Sequence, residues 1–224
     1  MTVKNTLLTG HKTYSTIGSA GEPVTMGTYD LSVNRAISVS FVNCRQTNDI
    51  DDNRYWGILG SNYCKNLLYD NCVLSRFDAH KGVANATIRN SNVEHNTALG
   101  GPGGLGGNGG EGTGGGLTST AGAILSVIST TVAHNHAQGG ESGVGGNGGN
   151  GLGGGLYDYS DATLNLQDNT IVSYNLALGG EAEDGGIDGQ GIGGGVYYLG
   201  TFDADLDTVI EKNQASTGND NVWP

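Results

Sequence analysis

The stretch Asn-Ser-Asn-Val-Glu-His-Asn at residues 90–96 decides the fold, because it recurs at a nearly fixed interval. It returns as Ser-Thr-Thr-Val-Ala-His-Asn at 129–135, as Asn-Thr-Ile-Val-Ser-Tyr-Asn at 169–175 and as Asp-Thr-Val-Ile-Glu-Lys-Asn at 207–213. The closing asparagines are spaced by 39, 40 and 38 residues. Between them lie Gly-Gly-Gly triplets at 114–116, 153–155 and 193–195, each followed by a β-prone residue. This period predicts a stack of similar units.

The same pattern continues toward the N-terminus. Asn43-Cys44 and Asn71-Cys72 fit it, and Asn5-Thr6 fits it more loosely. Parallel strands about 4.8 Å apart place like residues on like, and asparagine tolerates the left-handed conformation of a corner. We therefore expect an inward column of small residues at Thr6, Cys44, Cys72, Ser91, Thr130, Thr170 and Thr208.

Short runs of alternating polarity supply the strands, for example at residues 37–42, 86–88 and 162–166. Together with the repeat they predict an all-β fold, a right-handed parallel β-helix of six or seven coils. Long glycine-rich loops would project from the last three coils. A β-sandwich also uses short strands and glycine turns, but the fixed period favours the solenoid.

Composition changes abruptly near residue 91. Residues 1–91 contain 9 Lys and Arg against 7 Asp and Glu, whereas residues 92–224 contain 1 Lys against 15 Asp and Glu. Of the 42 glycines, 35 follow residue 91. We predict N-terminal coils at 1–91 and glycine-rich coils at 92–224, continuous with the first. The acidic second part argues against binding to nucleic acid, which needs clustered cations.

The cysteines and the hydropathy pattern indicate where the protein is expected to be located. Cys44, Cys64 and Cys72 are an odd number, so buried free thiols are expected rather than a disulfide framework. No apolar run is long enough for a membrane span. The start of the chain lacks the apolar core of a signal peptide. We expect an extracellular protein or one on a cell or virion surface, its signal removed or never present.

The three glycine-rich loops follow a triplet pattern. Residues 100–111 read as four triplets, residues 139–150 follow the same pattern, and residues 179–190 follow it more loosely. This period fits an extended left-handed helix of three residues per turn, so adjacent loops are expected to stack as polyglycine helices. A flexible solvated loop is the alternative. The third residues of the triplets include Asn108, Asn147 and Asn150, which are candidate binding residues.

Several known proteins share these patterns. The loops resemble glycine-rich layers of some phage tail-tip adhesins and of an insect antifreeze protein. The repeats after residue 91 resemble those of chlamydial polymorphic outer-membrane proteins and related surface β-helix adhesins, with Gly116 in place of an alanine and Val93 in place of a phenylalanine. Gly185-Gly186-Ile187-Asp188-Gly189 is similar to calcium-binding nonapeptide repeats, but the single Asp has no repeat, so no cofactor is predicted and calcium is the alternative.

Residues 1–91 resemble a pectin-lyase-like right-handed parallel β-helix of bacteria or their phages. The resemblance rests on Tyr-Trp-Gly-Ile at 55–58, Asn-Tyr-Cys-Lys-Asn-Leu at 62–67 and Phe-Asp-Ala-His-Lys-Gly at 77–82. It implies a protein that binds or acts on polysaccharide. The abrupt change in composition indicates a fusion of two β-helix types, natural or engineered.

One motif points to enzymatic chemistry. Arg-Phe-Asp-Ala-His-Lys at 76–81 resembles the Phe-Asp-Pro-His motif of mannuronan C5-epimerases. The resemblance implies that Asp78 and His80 are the motif's carboxylate and imidazole, with Ala79 in place of proline. Ser75 stands where the family has a tyrosine that transfers a proton. Arg76 and Lys81 would supply the cation that neutralises a uronate.

Two further clusters are candidates. Asp49, Asp51, Asp52, Arg54 and Tyr55 offer paired carboxylates of the kind used by polysaccharide hydrolases, with a polar connecting loop as the alternative. His95, His134, Tyr174 and Lys212 fall at equivalent repeat positions. Two stacked imidazoles suggest a metal, but a solvated edge is the favoured interpretation, so no metal site is predicted.

These observations leave three functions open. The leading one is an adhesive surface β-helix that binds a glycan or a protein partner through a repetitive face. The alternative is a polysaccharide lyase, C5-epimerase or hydrolase. The third is a self-assembling fibre or tail-spike unit, because coil ends without a capping helix are open edges that favour homo-oligomers or end-to-end assembly.

Overall fold

The computed structural model describes residues 2–4, 7–9, 16–17, 23–24, 31–32, 38–43, 45–47, 59–60, 64–74, 77–79, 83–120 and 122–224. Within these ranges it places the side chains of residues 40, 42–43, 66, 68–74, 85–120 and 122–224. The described chain is an all-β parallel solenoid without helices, and its glycine-rich part makes about three turns. Accordingly, no helix in the described part of the chain could cross a membrane.

The turns that begin at β12, β17 and β22 each pass through five sheets in a fixed order. Sheet 1 is β1 (Thr2–Lys4), β6 (Ser38–Val42), β9 (Cys64–Asp70), β12 (Val83–Arg89), β17 (Ile124–Ile128), β22 (Thr163–Gln167) and β27 (Thr201–Ala204). Sheet 2 is β2 (Leu7–Thr9), β7 (Arg45–Thr47), β10 (Val73–Leu74), β13 (Asn92–Glu94), β18 (Thr131–Ala133), β23 (Ile171–Ser173) and β28 (Val209–Glu211).

The remaining sheets are shorter. Sheet 3 is β14 (Thr97–Leu99), β19 (His136–Gln138), β24 (Leu176–Leu178) and β29 (Gln214–Ala215). Sheet 4 is β15 (Gly112–Thr113), β20 (Gly151–Leu152) and β25 (Gly191–Ile192). Sheet 5 is β11 (Phe77–Ala79), β16 (Leu117–Ser119), β21 (Leu156–Asp158), β26 (Val196–Tyr198) and β30 (Val222–Trp223).

Two small pairs lie outside these sheets: β3 (Thr16–Ile17) with β4 (Pro23–Val24), antiparallel, and β5 (Leu31–Ser32) with β8 (Leu59–Gly60), parallel. Every described pairing within sheets 1 to 5 is parallel, which excludes the sandwich for this region. Sheets 1 and 2 run across residue 91 without a break.

The strand register confirms the period. In sheet 1, Asn85 pairs with Ile124, Ile124 with Thr163, and Thr163 with Thr201. The strands expected at 37–42, 86–88 and 162–166 lie within or beside β6, β12 and β22.

Sheets 1, 2 and 5 enclose the apolar core. Alternate residues point inward, so Leu125 and Val127 of β17 are buried while Ile124 is 40 % exposed. The buried cluster repeats from coil to coil in columns of like residues. These columns are Val93, Val132 and Val172; Leu117 and Leu156; and Leu125 and Leu164. A thin core of this kind suits a chain with few aromatic residues.

The predicted corner columns are present where the structure describes them. Asn43, Asn71 and Asn90 adopt positive φ of 53°, 53° and 49°, and Asn71 Nδ2 donates to Asn43 Oδ1 at 2.7 Å. The small-residue column is buried at Cys72, Ser91, Thr130 and Thr170, and partly exposed at Thr208. Thr6 and Cys44 lie outside the described residues. The Cys72 thiol is buried, as expected, and donates to Asp70 O at 3.4 Å.

The repeat's closing asparagines form a second, buried ladder. Asn135 Oδ1 accepts the backbone N–H of Asn96 at 3.1 Å and its side-chain amide at 2.8 Å. The same pair of bonds joins Asn135 to Asn175 and Asn175 to Asn213. Each amide also donates to a backbone carbonyl of sheet 2, which belongs to a valine for the last three asparagines, as in Asn175 Nδ2 to Val132 O at 2.9 Å, and to Leu74 for Asn96. This ladder fixes the corner between sheets 2 and 3.

Candidate functional site

Sheets 3 and 4 form the root of a flat projection from the core. Their strands pack against each other, as β14 does on β15 and β19 on β20. The contact is close because the facing residues are small: Ala98, Ala137 and Ala177 from sheet 3 and Gly112, Gly151 and Gly191 from sheet 4. A Cβ on Gly151 would collide with the carbonyl oxygens of Leu178 and Ala137. The projection therefore depends on residues without side-chain bulk.

Beyond these strands the chain continues into the glycine layer, which we define as loop 1 (residues 100–111), loop 2 (139–150) and loop 3 (179–190). Each loop runs outward, turns at a glycine with φ of 72°, 81° or 88°, and returns alongside itself. The turn glycines are Gly106, Gly145 and Gly185. Positive φ explains why these three positions carry no side chain.

Hydrogen bonds between consecutive loops recur every third residue. From loop 1 to loop 2, at 2.8–3.0 Å, the N–H groups of Gly100, Gly103, Gly106, Gly109 and Gly112 donate in turn to the carbonyls of Gln138, Glu141, Val144, Asn147 and Asn150. The same pattern joins loop 2 to loop 3. A second set connects outgoing and returning segments, as in Gly149 N–H to Gly140 O at 2.9 Å. The described loops are thus hydrogen-bonded to one another.

At the inner positions of the glycine layer only glycine fits. A Cβ on Gly140, Gly143, Gly146 or Gly149 would overlap a carbonyl oxygen of loop 1. In contrast, a Cβ on Gly101 or Gly104 would meet nothing within 4 Å. The difference arises because loop 1 is the first of the three glycine-rich loops, and no described residue lies within 4 Å of a Cβ at these two positions.

The returning segments line a shallow polar groove of about 410 Å³. Its walls combine bare glycine backbone with amide and carboxylate side chains: Asn108, Glu111, Asn147, Asn150, Asp188 and Gln190, with the exposed Ile187 beside them. Three candidate residues from the sequence, Asn108, Asn147 and Asn150, are therefore brought together on one surface. Equivalent positions in successive loops recur at the strand spacing of about 4.8 Å.

The three asparagines also hold the layer together. Asn108 Oδ1 accepts the backbone N–H of Asn147 at 2.8 Å, and Asn147 Oδ1 accepts that of Ile187 at 2.9 Å. Asn150 Oδ1 accepts the N–H of Gln190 at 2.9 Å. These bonds satisfy the N–H of the third residue in three of the triplets. The Oδ1 atoms are thus committed to the layer, which leaves the Nδ2–H donors as the groups able to meet a ligand.

An aromatic column runs along sheet 5. The rings of Tyr157 and Tyr197 stack at 5.3 Å, and Trp223 continues the column at 6.3 Å. Tyr159 packs edge-on against Tyr157 at 4.6 Å. Burial, followed by the charges of neighbouring groups that include Glu111, raises the pKa of Tyr157. Glu111, which also lines the groove, is thus one of the charges that act on Tyr157.

The column of His95, His134, Tyr174 and Lys212 is a solvated edge, as expected. The two imidazoles stack at 5.1 Å and His134 stacks on Tyr174 at 5.2 Å, while the Lys212 ammonium lies 5.5 Å from the centre of the Tyr174 ring. All four residues have φ between 55° and 59° and are exposed. Among the described residues no cluster of three or more His, Cys, Asp or Glu has the arrangement of a metal site.

Two buried polar groups stand apart from the groove. Asp158 is fully buried; Ser119 Oγ donates to its Oδ1, and Oδ2 has no partner among the described residues. Burial raises the pKa of Asp158 to about 6, and the nearby Asp161 adds to this shift. His136 Nε2 is likewise without a partner in the described region, and burial lowers the pKa of His136.

The predicted enzymatic residues are not tested by the structure. Asp78 contributes its backbone to β11, where it pairs with Thr118, but its side chain lies outside the described residues. Arg76, His80 and Lys81 lie wholly outside the described residues. So does the second candidate cluster, which is Asp49, Asp51, Asp52, Arg54 and Tyr55. Whether these two groups converge in one groove stays a prediction.

Sequence reasoning missed the aromatic column and the Ser119–Asp158 pair. The signal was present, since residues 118–119, 157–158 and 197–198 follow the Gly-Gly-Gly triplets at one fixed offset. Alignment of the triplets alone places these residues in register.

No family model, no curated protein and no solved structure matches this chain.

Proposed function

We propose that this chain is an adhesive, surface-exposed β-solenoid that binds a neutral polysaccharide along the groove of its glycine layer. The observation that carries the proposal is the row of amide side chains, Asn108, Asn147, Asn150 and Gln190, along bare glycine backbone. Amide groups exchange hydrogen bonds with sugar hydroxyls, and flat glycine segments let a chain approach closely.

The negative charge of the groove favours a neutral polysaccharide over polyanions. Glu111 and Asp188 line the groove, and residues 92–224 contain a single basic residue, Lys212. A polyanion such as a polyuronate or a nucleic acid would meet repulsion without a compensating cation. A neutral glycan has no such penalty, and its apolar faces match the exposed Ile187.

The repetition supports adhesion rather than a single chemical step. Each of the three glycine-rich coils contributes corresponding loop residues to the groove, so an extended polymer contacts several similar sites together. The groove volume of about 410 Å³ lies within the usual range of small-ligand sites, roughly 300–1,000 Å³.

Two finer features of the fold belong to the proposal. We infer a right-handed coil, because parallel crossover connections are right-handed in almost all known sheets. The three-residue hydrogen-bond period supports polyglycine II helices in the loops. The seven described strands in each of sheets 1 and 2 support six or seven coils. The proposal keeps the resemblance of residues 1–91 to pectin-lyase-like β-helices and that of residues 92–224 to adhesin repeats.

Binding to a glycan array, followed by titration of any hit, tests the proposal. We expect a neutral polysaccharide to bind and polyuronates not to bind. Gln190→Ala should then weaken binding about three- to tenfold, the effect of losing one or two hydrogen bonds. Gln167→Ala, an exposed glutamine on sheet 1 away from the groove, is the matched control. Preference for polyuronates, or equal binding by Gln190→Ala and the original chain, would contradict the proposal.

A further inference from the structure

The glycine layer has two edges, and they differ. Loop 3 forms the edge toward the C-terminus, and side chains close it: Ser216 Oγ accepts the N–H of Gly179 at 3.2 Å, Asp188 Oδ1 that of Ala182 at 2.8 Å, and Thr217 Oγ1 that of Gly191 at 3.2 Å. Where loop 1 has Gly103, Gly104 and Gly109, loop 3 has Ala182, Glu183 and Asp188. This edge is blocked to another glycine segment.

The loop 1 edge is open. Within the stack, the equivalent groups of loop 2 are all used: Gly140 N–H donates to Gly110 O, and Gly143 N–H donates to Gly107 O. In loop 1 the matching donors are the N–H groups of Gly101 and Gly104, and the matching acceptors are the carbonyls of Pro102, Leu105, Asn108 and Glu111. None of these has a hydrogen-bond partner among the described residues.

The open edge is also bare. A Cβ on Gly101 or Gly104 would meet nothing within 4 Å, and the Leu105 side chain at its tip is 92 % exposed. Open backbone donors and acceptors on a flat edge are a template for pairing. The partner has to present glycine backbone with the same three-residue spacing, because a side chain would hold the two backbones apart.

From these observations we propose that the loop 1 edges of two copies of this chain pair with each other in a two-fold symmetric dimer. The edge is self-complementary, since it carries both N–H donors and carbonyl acceptors, and a two-fold axis pairs each donor with an acceptor of the other copy. The capped loop 3 edge excludes the head-to-tail alternative, which would generate a filament. The occupant is a second copy because its loop 1 presents the required spacing.

This inference does not rest on glycan binding, since the pairing uses backbone groups of loop 1, whereas the groove presents side chains of all three loops. Asn108 and Glu111 take part in both, through their carbonyls in the pairing and their side chains in the groove. The contact is small, so the dimer belongs to the weak class of interfaces below about 1,200 Å². We expect association at micromolar to submillimolar concentration, between about 1 µM and 1 mM.

Sedimentation velocity across that concentration range tests the proposal. The original chain should shift from monomer to dimer without forming larger species. The double variant Gly101→Val, Gly104→Val should stay monomeric without a loss in melting temperature, because both positions open into free space. Gly218→Val is the matched control, because a Cβ there also meets nothing within 4 Å and lies away from loop 1; it should dimerise normally.

Leu105→Glu provides a second probe, because this exposed side chain cannot disturb folding and its charge would repel its symmetry mate. It should weaken the dimer at least tenfold. A chain that is monomeric throughout, open-ended oligomers, or dimers unaffected by both the valine and the glutamate variants would overturn the proposal.

Discussion

Single residues carry the corners of this solenoid, and the buried asparagine ladder is the clearest case. Asn175 is 1 % exposed, and its amide makes four hydrogen bonds: Oδ1 accepts two from Asn135, and Nδ2 donates to Asn213 Oδ1 and to Val132 O. The neighbouring backbone N–H of Asn135 has no other acceptor in the described region. Removal of the side chain therefore leaves buried groups unsatisfied.

We predict that Asn175→Ala lowers the free energy of unfolding by about 2–5 kcal/mol, because each buried unsatisfied group costs about 1–3 kcal/mol. Asn165→Ala, on the outer face of sheet 1, should change it by less than about 1 kcal/mol. Urea denaturation measures both. Equal effects of the two substitutions would show that the ladder is not the source of stability.

Asp158 makes stability depend on pH in an unusual direction. The folded chain keeps the proton of this carboxyl up to a pKa of about 6, whereas the unfolded chain releases it near the ordinary value of about 4. The native state thus binds more protons between these values, and stability falls as pH rises from about 4 to about 6. Above that range the buried carboxylate stays charged and destabilising.

We predict that Asp158→Asn raises the melting temperature at pH 7.5 and leaves it nearly unchanged at pH 4.5, since the amide keeps the bond from Ser119 without a charge. Asp203→Asn, an exposed carboxylate on β27, is the control and should leave the difference between the two pH values as it is. Thermal melts followed by circular dichroism at both pH values give the comparison. A stabilisation at pH 4.5 as large as at pH 7.5 would contradict the assignment.

At the scale of elements, the glycine layer explains the composition of the second part of the chain. Its inner glycines are needed because the hydrogen bonds of one loop bring carbonyl oxygens into the space that a Cβ would occupy. Ordering so much glycine costs conformational entropy, which the inter-loop hydrogen bonds and close contacts offset.

Equivalent glycines in loops 1 and 2 offer a matched test. We predict that Gly140→Ala destabilises the chain by about 1–3 kcal/mol or more, because its Cβ would overlap Gly101 O. Gly101→Ala should be neutral or stabilising by up to about 1 kcal/mol, because the site is open and the substitution restricts the unfolded chain. Chemical denaturation at low protein concentration separates the two. If Gly140→Ala is as stable as Gly101→Ala, the loops are not packed against each other.

The repeat made much of this element predictable, and the limits are physical. The spacing of Asn96, Asn135, Asn175 and Asn213 fixed the register of sheets 2 and 3, because equal coil lengths leave a single way to align parallel strands. The triplet phase in turn indicated which loop residues share a face. The difference between the two edges of the layer could not be derived, since it depends on Ser216 and Thr217 reaching back from the following coil.

At the scale of the whole molecule, the apolar core and the glycine-rich projection have different roles. Sheets 1, 2 and 5 enclose the thin apolar core, while sheets 3 and 4 lead into the flat glycine layer. The proposed binding function thus belongs to the projection, and stacking of the core coils sets the position of each loop. The groove residues were brought together by coil stacking, which local sequence patterns alone do not specify.

The central claim is that the glycine loops form one ordered, hydrogen-bonded layer, and amide hydrogen exchange followed by NMR tests it most directly. The N–H groups of Gly143, Gly146 and Gly149, each bonded at 2.8–2.9 Å, should exchange as slowly as those of neighbouring core strands. The N–H groups of Gly185 and Asp188, which have no acceptor among the described residues, should exchange rapidly. Exchange of all five amides at the rate of an unstructured chain would contradict the account.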